Sequence, residues 1–267
     1  MLKDNHQEIP IDEKDLAKEN LEFFKIKSKT LAKQFKSKRI NFISCETVGD
    51  AQKKIVELIN AFKKKDLFTK VGFADSVTLH QLDIFNIVQK IPDLEIIDPL
   101  KRKPDGKYEV YGTLPPGKMN LPKEEYYALM EKLFDKMRES LRSDIFIIGA
   151  NAITMKGQIV STDGTGNRVS GMIFGPKKVI IIVGKNKIVE DVDAAIKRNR
   201  NIAAPLNYIR HNLKHHNRFD NPCLQLGYCT DCSSERRGCL NTVIIDGAME
   251  AFNDRIHLIL VNENIGF

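Results

Sequence analysis

Four of the chain's five cysteines lie within 17 residues, and thiolates are the ligands that zinc and iron–sulfur clusters prefer. The four are Cys223, Cys229, Cys232 and Cys239, in the spacing C-x5-C-x2-C-x6-C. In an intracellular chain, such grouping indicates metal or redox chemistry before structural disulfides. The single C-x-x-C pair differs from the two pairs of a zinc ribbon. We therefore expect an iron–sulfur cluster, favouring the 4Fe–4S type, with zinc as the alternative and metal-free cysteines as the remaining possibility.

A second group of chemically useful residues lies around two apolar runs, 144–150 and 178–184, which have the pattern of strands buried on both faces. Glycines in this segment allow a positive φ and a close approach of the backbone to a ligand. Amide, arginine and lysine side chains there could bind a carboxylate or a phosphate. A simple Asp-Gly turn with an exposed arginine is the alternative. The candidate ligand-binding residues are Asn151, Thr154, Asp163, Gly164, Gly166, Asn167, Arg168 and Lys187.

A third candidate is the segment VGFADSVTL (71–79), which reads as a strand, a short turn and a helix. Gly72 precedes the turn and Ser76 opens the helix. The N-terminus of a helix presents unpaired N–H groups to an anion, so both residues are candidates for ligand binding. Ser76 could equally be a helix N-cap. We expect all these polar residues to meet at the carboxyl ends of parallel strands, with the cysteines close by.

The elements that must position these residues alternate between strand and helix, which predicts an α/β fold with a mainly parallel sheet sandwiched between helices. Residues 98–121 are predicted to form a long connection. The domain prediction is a helical lead-in at 1–38 and a single domain at 39–267, with a cysteine-rich loop at 222–241. The predicted strands are 39–45, 68–74, 94–98, 144–150, 178–184, 242–246 and 255–261. The predicted helices are 12–38, 76–89, 192–200 and 203–213, one beginning at Thr47 and one near Pro122.

The composition narrows the choice of partners. The net charge of +7 suits anionic metabolites as well as nucleic acid, but the absence of tryptophan and of a binding motif argues against nucleic acid. No apolar run is long enough to cross a bilayer, and the first residues lack the apolar core of a signal peptide. We expect a cytoplasmic protein that does not bind membranes. Cys45 ends a predicted buried strand and is interpreted as a core residue.

Taken together, the motifs resemble the LUD-domain (lactate utilisation) family over roughly residues 40–267. The resemblance rests on VGFADSVTL, GANAIT, STDGTGNRV, FGPKKVIIIVGKNKIV, AAPLN, the cysteine loop with Asn241, and the closing IGF. It implies a fold similar to the superfamily of ribose-5-phosphate isomerase and CoA transferases. It also implies a part in oxidising lactate to pyruvate, together with partner iron–sulfur or redox proteins.

Residue by residue, the resemblance implies an anion-binding loop from Gly72 to Ser76, a polar pocket at the candidates above and a metal loop at the four cysteines. The family tends to have a glycine-rich turn where this chain has Ala74 and Asp75, and the Asp75 carboxylate would repel an anion. No nucleotide-cofactor motif is present. The leading hypothesis is therefore an oxidoreductase component that binds a small carboxylate or a redox partner and transfers electrons.

The alternative hypothesis is an isomerase- or transferase-like enzyme acting on a small anionic metabolite. In that case the cysteine loop would hold zinc only for structure. Asp163 or Glu190 would be the catalytic carboxylate. Either protein could act as a homo-oligomer.

Overall fold

A computed structural model of the chain describes residues 12–105, 107–110, 121–215 and 219–267. Its central sheet contains six strands, and every pairing between them is parallel. This is the predicted α/β sheet. In their order across the sheet, the strands are β1 (Asn41–Cys45), β10 (Ile256–Val261), β7 (Lys178–Gly184), β4 (Ile145–Gly149), β2 (Lys70–Phe73) and β3 (Glu95–Ile97).

Helices cover both faces of this sheet, so alternate residues of β4 and β7 pack into two separate cores. Ile147 and Ile180 pack into one core, and Ile148 and Ile181 pack into the other. Every residue of these two strands is buried, which explains their nearly continuous apolar sequences. The helices are α1 (Glu13–Ser37), α2 (Val48–Asp66), α3 (Val77–Gln81), α4 (Ile84–Gln89), α5 (Lys123–Ser140), α6 (Asn167–Ile173), α7 (Val192–Arg198), α8 (Ala204–His215) and α9 (Cys223–Leu226).

The amphipathic helices form as their sequences predict. A capping box of Thr47 and Asp50 opens α2, because each side chain accepts from the other residue's backbone N–H. Helix α1 buries Phe24, Leu31 and Phe35 against one face of the sheet. No helix in the described part of the chain is long and apolar enough to cross a bilayer.

A smaller four-stranded sheet departs from the prediction. It contains β8 (Ile188–Val189), β5 (Ala152–Thr154), β6 (Ile159–Asp163) and β9 (Asn241–Ile245). The segment 242–246 was expected to extend the main sheet; instead β9 runs antiparallel to β6. The strands β5, β6 and β8 were not predicted, because they are short and lie among glycine-rich turns.

Two helical segments also differ from the prediction. The single helix expected at 76–89 is broken at Asp83, whose left-handed φ of 51° separates α3 from α4. Between α7 and α8, residues Asn199–Ala203 form a π-helix, so the two predicted helices join through one wider turn. The predicted connection at 98–121 lies partly outside the described residues, which do not include 106 and 111–120.

Candidate functional site

A cavity of about 380 Å³ lies where several strands of the main sheet end. Its lining includes Ser76, Asn151 and Lys187, which follow β2, β4 and β7 respectively. Further lining residues come from the end of β6, the start of α6, the helix α8 and the cysteine loop, which we define as residues 222–241. Crevices at the carboxyl ends of parallel strands are the usual ligand sites of open α/β sheets.

Seven of the ten predicted ligand-binding residues line this cavity: Ser76, Asn151, Asp163, Gly164, Asn167, Arg168 and Lys187. The other three do not. Gly72 faces α5, where an added Cβ would lie 2.6 Å from the Ser140 carbonyl oxygen. Thr154 is buried in β5 and contacts Gln158, and Gly166 is the N-cap of α6 with a φ of 93°. Binding by the seven lining residues stays a prediction.

The carboxylate of Asp163 is fully engaged at the end of β6. It accepts hydrogen bonds from the backbone N–H groups of Gly166 (3.0 Å) and Arg168 (3.1 Å). It also accepts from Nε of Arg168 at 3.2 Å, and that guanidinium donates to the Thr162 carbonyl at 2.6 Å. Asp163 therefore holds Arg168 and the first turn of α6 in place. Glu190, the other carboxylate of the isomerase hypothesis, is exposed and is not part of the lining.

A second acid–arginine pair, Asp75 with Arg210, also lines the cavity. Asp75 accepts a hydrogen bond from Arg210 of α8 and contacts Nε2 of His80 at 3.0 Å. Burial alone would raise the pKa of Asp75, but the hydrogen bonds and charges of His80 and Arg210 outweigh it and hold that pKa well below its usual range. The expected repulsion of an anion by Asp75 is thus offset by these two partners.

The Lys187 side chain is almost fully buried, with an exposed fraction of 3%. Its Nζ donates to Oγ1 of Thr78 at 2.8 Å, and it has no carboxylate partner among the described residues. Burial, and then the charges of Arg198 and Arg168, lower the pKa of Lys187 to about 7. Gly266, with a φ of 63°, covers this amine so closely that a Cβ there would lie 2.7 Å from Nζ.

Two more buried polar residues, Arg198 and Asn199, lie where α7 meets the π-helix. Arg198 donates to the carbonyl oxygens of Asn151 (2.7 Å) and Asn186 (3.2 Å), and the described residues give it no carboxylate partner. Asn199 is 1% exposed and lines the cavity; its amide donates to Thr162 Oγ1 at 3.1 Å. Its Oδ1 and the Nε of Arg210 are buried and have no hydrogen-bond partner in the described structure.

The cysteine loop borders the cavity, as we expected. Gly238 and Cys239 belong to the lining. The N–H of Gly238 donates to the Tyr208 hydroxyl, and the N–H of Leu240 donates to the Asp163 carbonyl at 3.1 Å. The loop is therefore attached both to α8 and to the end of β6.

The four thiols share one neighbourhood. Burial raises the pKa of the Cys223 thiol, and the charges of Cys232, Cys239 and Cys229 raise it further. Arg237 fastens the loop by donating to the Cys232 carbonyl at 2.6 Å and to the Asp231 carboxylate at 3.0 Å. Hydrogen bonds from Ser234, followed by Asn221 and Arg237, lower the pKa of Cys232.

The loop matches a metal site in its donors but not in their placement. Four thiols are the ligand set of a 4Fe–4S cluster or of a structural zinc ion. Across residues 12–105, 107–110, 121–215 and 219–267, however, no group of three or more histidine, cysteine or acidic side chains is arranged to hold a metal ion. Metal binding would require the loop to bring its sulfur atoms closer together.

Comparison with known proteins shows to which family the chain belongs. The family model of the LUD domain matches residues 28–261. The chain belongs to the LUD domain family. Membership connects it broadly with lactate utilisation and is consistent with the superfamily expected from the sequence.

This LUD-domain chain is also similar to a solved structure, the crystal structure of a DUF162 family protein from Deinococcus radiodurans. The two are 10% identical, and the similarity covers 94% of this chain and 99% of the other with a TM-score of 0.38. No curated protein matches the chain.

Sequence reasoning missed part of the cavity of this LUD-domain chain. Asn199, Tyr208 and Arg210 line it, although none of them was a candidate. All three lie in or just after the π-helix, in a segment that the sequence showed only as helical. A signal was available in the density of polar and basic residues in KRNRN (197–201), directly before the AAPLN motif.

Proposed function

We propose that the cavity binds a small monocarboxylate of the 2-hydroxy or 2-oxo acid class, such as lactate or pyruvate, as a component of organic-acid oxidation. The observation that carries the proposal is the balance of buried charge. The acids Asp75 and Asp163 are each paired with an arginine, whereas Lys187 and the adjacent Arg198 have no acidic partner in the described structure. A bound carboxylate would supply the missing negative charge.

Two unpartnered atoms refine the class of ligand. Oδ1 of Asn199 lacks a donor, and Nε of Arg210 lacks an acceptor. A buried polar atom left unpaired costs roughly 1–3 kcal/mol, so a ligand that satisfies both gains affinity. A 2-hydroxy acid offers a hydroxyl that donates and a carboxylate that accepts. The cavity volume of about 380 Å³ lies at the small end of ligand sites, which fits a small metabolite.

Calorimetric titration with L-lactate tests the proposal. Asn199→Asp keeps the size of the side chain but adds a negative charge to the lining, so we expect lactate affinity to fall about tenfold or more through charge repulsion. Asn201→Asp is the matched control, because it adds the same charge two residues away, outside the lining. Absence of lactate binding by the parent chain, or equal binding by Asn199→Asp, would contradict the proposal.

We further propose that the cysteine loop holds an iron–sulfur cluster and exchanges electrons with partner iron–sulfur proteins, with zinc as the alternative occupant. Two facts support this: all four thiols belong to one loop, and Cys239 lines the cavity. The residues that would bind the metal are Cys223, Cys229, Cys232 and Cys239. A cluster there would supply one-electron chemistry beside the ligand.

Anaerobic purification followed by iron, sulfide and zinc analysis tests the loop's role. We expect Cys232→Ser to lose the metal and the visible absorption. Cys45→Ser is the control, because Cys45 is buried in the core at the end of β1, away from the loop. A parent chain that takes up neither iron and sulfide nor zinc, when each is supplied in a separate reconstitution, would refute the cluster and the zinc site together.

A further inference from the structure

Lys187 is the only primary amine among the described lining residues, and its surroundings disfavour a positive charge. The amine is buried and touches a hydroxyl, Thr78 Oγ1 at 2.8 Å, instead of a carboxylate. The guanidinium groups of Arg198 and Arg168 repel a proton on it. Before a ligand binds, this environment leaves part of the amine uncharged, so Lys187 is available as a nucleophile as well as a cation.

The fraction of neutral amine shows the size of the effect. With its pKa lowered to about 7, Lys187 is about half neutral at pH 7. An ordinary lysine with a pKa near 10.4 is neutral in roughly one molecule in 2,500 at that pH. Only the neutral amine has a lone pair that can attack a carbonyl carbon, and desolvated lysines are the ones that form Schiff bases.

We propose that Lys187 forms a covalent imine with the carbonyl carbon of a 2-oxo acid bound in the cavity. The inference rests on the proposed function, since the 2-oxo acid is the oxidised member of the acid class assigned to the same site. It adds a covalent chemical step, which simple binding does not include. The reaction needs no metal, oxidant or reductant.

The step is balanced within the site. The Nζ lone pair attacks the carbonyl carbon, the C–O π electrons move to oxygen, and a proton passes from nitrogen to that oxygen to give a carbinolamine. Loss of the hydroxyl group as water then leaves the imine, and hydrolysis reverses both steps. The Thr78 hydroxyl, in contact with Nζ, is placed to relay the proton. Gly266 closes the space above the amine and limits the access of water.

Reductive trapping tests the inference. The full chain is incubated with pyruvate at pH 7, treated with borohydride and mapped by peptide mass spectrometry. We expect Nε-(1-carboxyethyl)lysine at position 187, with at least about tenfold higher occupancy than at Lys185, because only Lys187 lines the cavity in which the acid is held. Lys185 is the internal control, since it is exposed and lies two residues earlier in the same turn.

Two variants and a second acid separate the outcomes. Lys187→Met should lose the adduct and Lys185→Met should keep it, with the fold of each checked by circular dichroism. Lactate has no carbonyl group, so its binding reports the proposed function without the imine. If lactate and pyruvate bind but position 187 is not modified above Lys185, the imine is refuted and the binding function stands. If neither acid binds and no adduct forms, both proposals fail. Should Lys187→Met not fold, the mapping of the parent chain decides alone.

Discussion

The wall of the cavity and the cysteine loop lie side by side but are built in different ways. Asp163, Lys187 and Asn199 follow or adjoin buried strands and helices, and most of their polar atoms have fixed partners. The cysteine loop has one four-residue helix, α9, and otherwise irregular structure, with three of its four cysteines partly exposed. The wall is therefore organised before any ligand arrives, whereas the sulfurs of the described loop are not arranged around a common point.

This difference has a physical origin. Charged groups inside the wall are desolvated, so each needs hydrogen bonds or an opposite charge, and these contacts fix its position. In the loop, Cys229, Cys232 and Cys239 are partly exposed to water, so no comparable energy fixes the positions of their sulfur atoms.

The largest expected effect is on an acid–arginine pair. Asp163→Ala would leave Arg168 partly buried without its carboxylate and two N–H groups without an acceptor, so we expect a loss of about 3–5 kcal/mol in the free energy of unfolding. Asp231→Ala is the counterpart in the loop, where the pair with Arg237 is largely exposed at the acid; we expect less than about 1 kcal/mol. Urea denaturation measures both. Similar losses in the two variants would remove the distinction between the regions.

The second prediction concerns the pH dependence that Lys187 creates. Because its pKa in the folded chain is lowered from 10.5 to about 7, the unfolded chain binds more protons between these pH values. The parent should therefore gain stability as the pH rises from 7 to 10. Lys187→Met should lose this gain, so its stability advantage over the parent should be largest at pH 7 and should shrink as the pH approaches 10. Chemical denaturation at pH 7 and pH 10 measures this difference, with Lys185→Met as the control. If the Lys187→Met and Lys185→Met variants behave alike, the prediction is wrong.

A pair of glycines gives the third test. Gly266→Ala would force its Cβ against Lys187 Nζ and Thr78 in a left-handed conformation, and we expect a loss of about 2 kcal/mol together with weaker lactate binding. Gly227→Ala in the cysteine loop has a similar φ of 75° but meets nothing within 4 Å. Only the backbone strain of about 1 kcal/mol should remain there, without any change in lactate affinity. Equal effects on affinity would show that Gly266 does not shape the site.

The smallest effect is expected from a single cysteine of the metal-free loop. Cys232 is partly exposed, so Cys232→Ser should change the free energy of unfolding by no more than about 0.5 kcal/mol. In the core, Cys45→Ser should cost about 1–2 kcal/mol, since it buries a hydroxyl among apolar side chains. Thermal unfolding of apo protein measures both. A larger cost for Cys232→Ser would mean that the loop is packed and already organised.

The sequence predicted the main sheet well, because its strands and helices carry strong periodic signals. The apolar runs at 144–150 and 178–184 leave no alternative to doubly buried strands, and the Thr47–Asp50 box marks the start of α2. Of the small sheet, the sequence predicted only the strand at 242–246, which is β9. The sheet's strands of two to five residues gain their stability from pairing with segments as distant as β9, and distant pairing leaves no local pattern.

Besides the glycine-rich segment that contains Asp163 and Arg168, the candidate site was foreseen where residues follow an obvious strand. Asn151 and Lys187 were found in this way, since the carboxyl ends of parallel strands converge. Asn199 and Arg210 reach the cavity through the geometry of the π-helix, which no single-residue propensity reports. The pairing of Asp75 with Arg210 joins positions 135 residues apart, so the sequence showed a repelling acid where the structure has a neutralised one.

The π-helix between α7 and α8 makes the chain sensitive to its own length at this point. Each residue of an α-helix turns the chain by roughly 100°, and a π-helical turn accommodates one residue more than an α-helical turn. Deleting a single residue between Asn199 and Ala203 would let one continuous α-helix form, with good local hydrogen bonds. It would also rotate Tyr208 and Arg210 away from the cavity and detach them from Gly238 and Asp75. A one-residue deletion in this segment would therefore disturb the cavity wall even where helix stability would favour it.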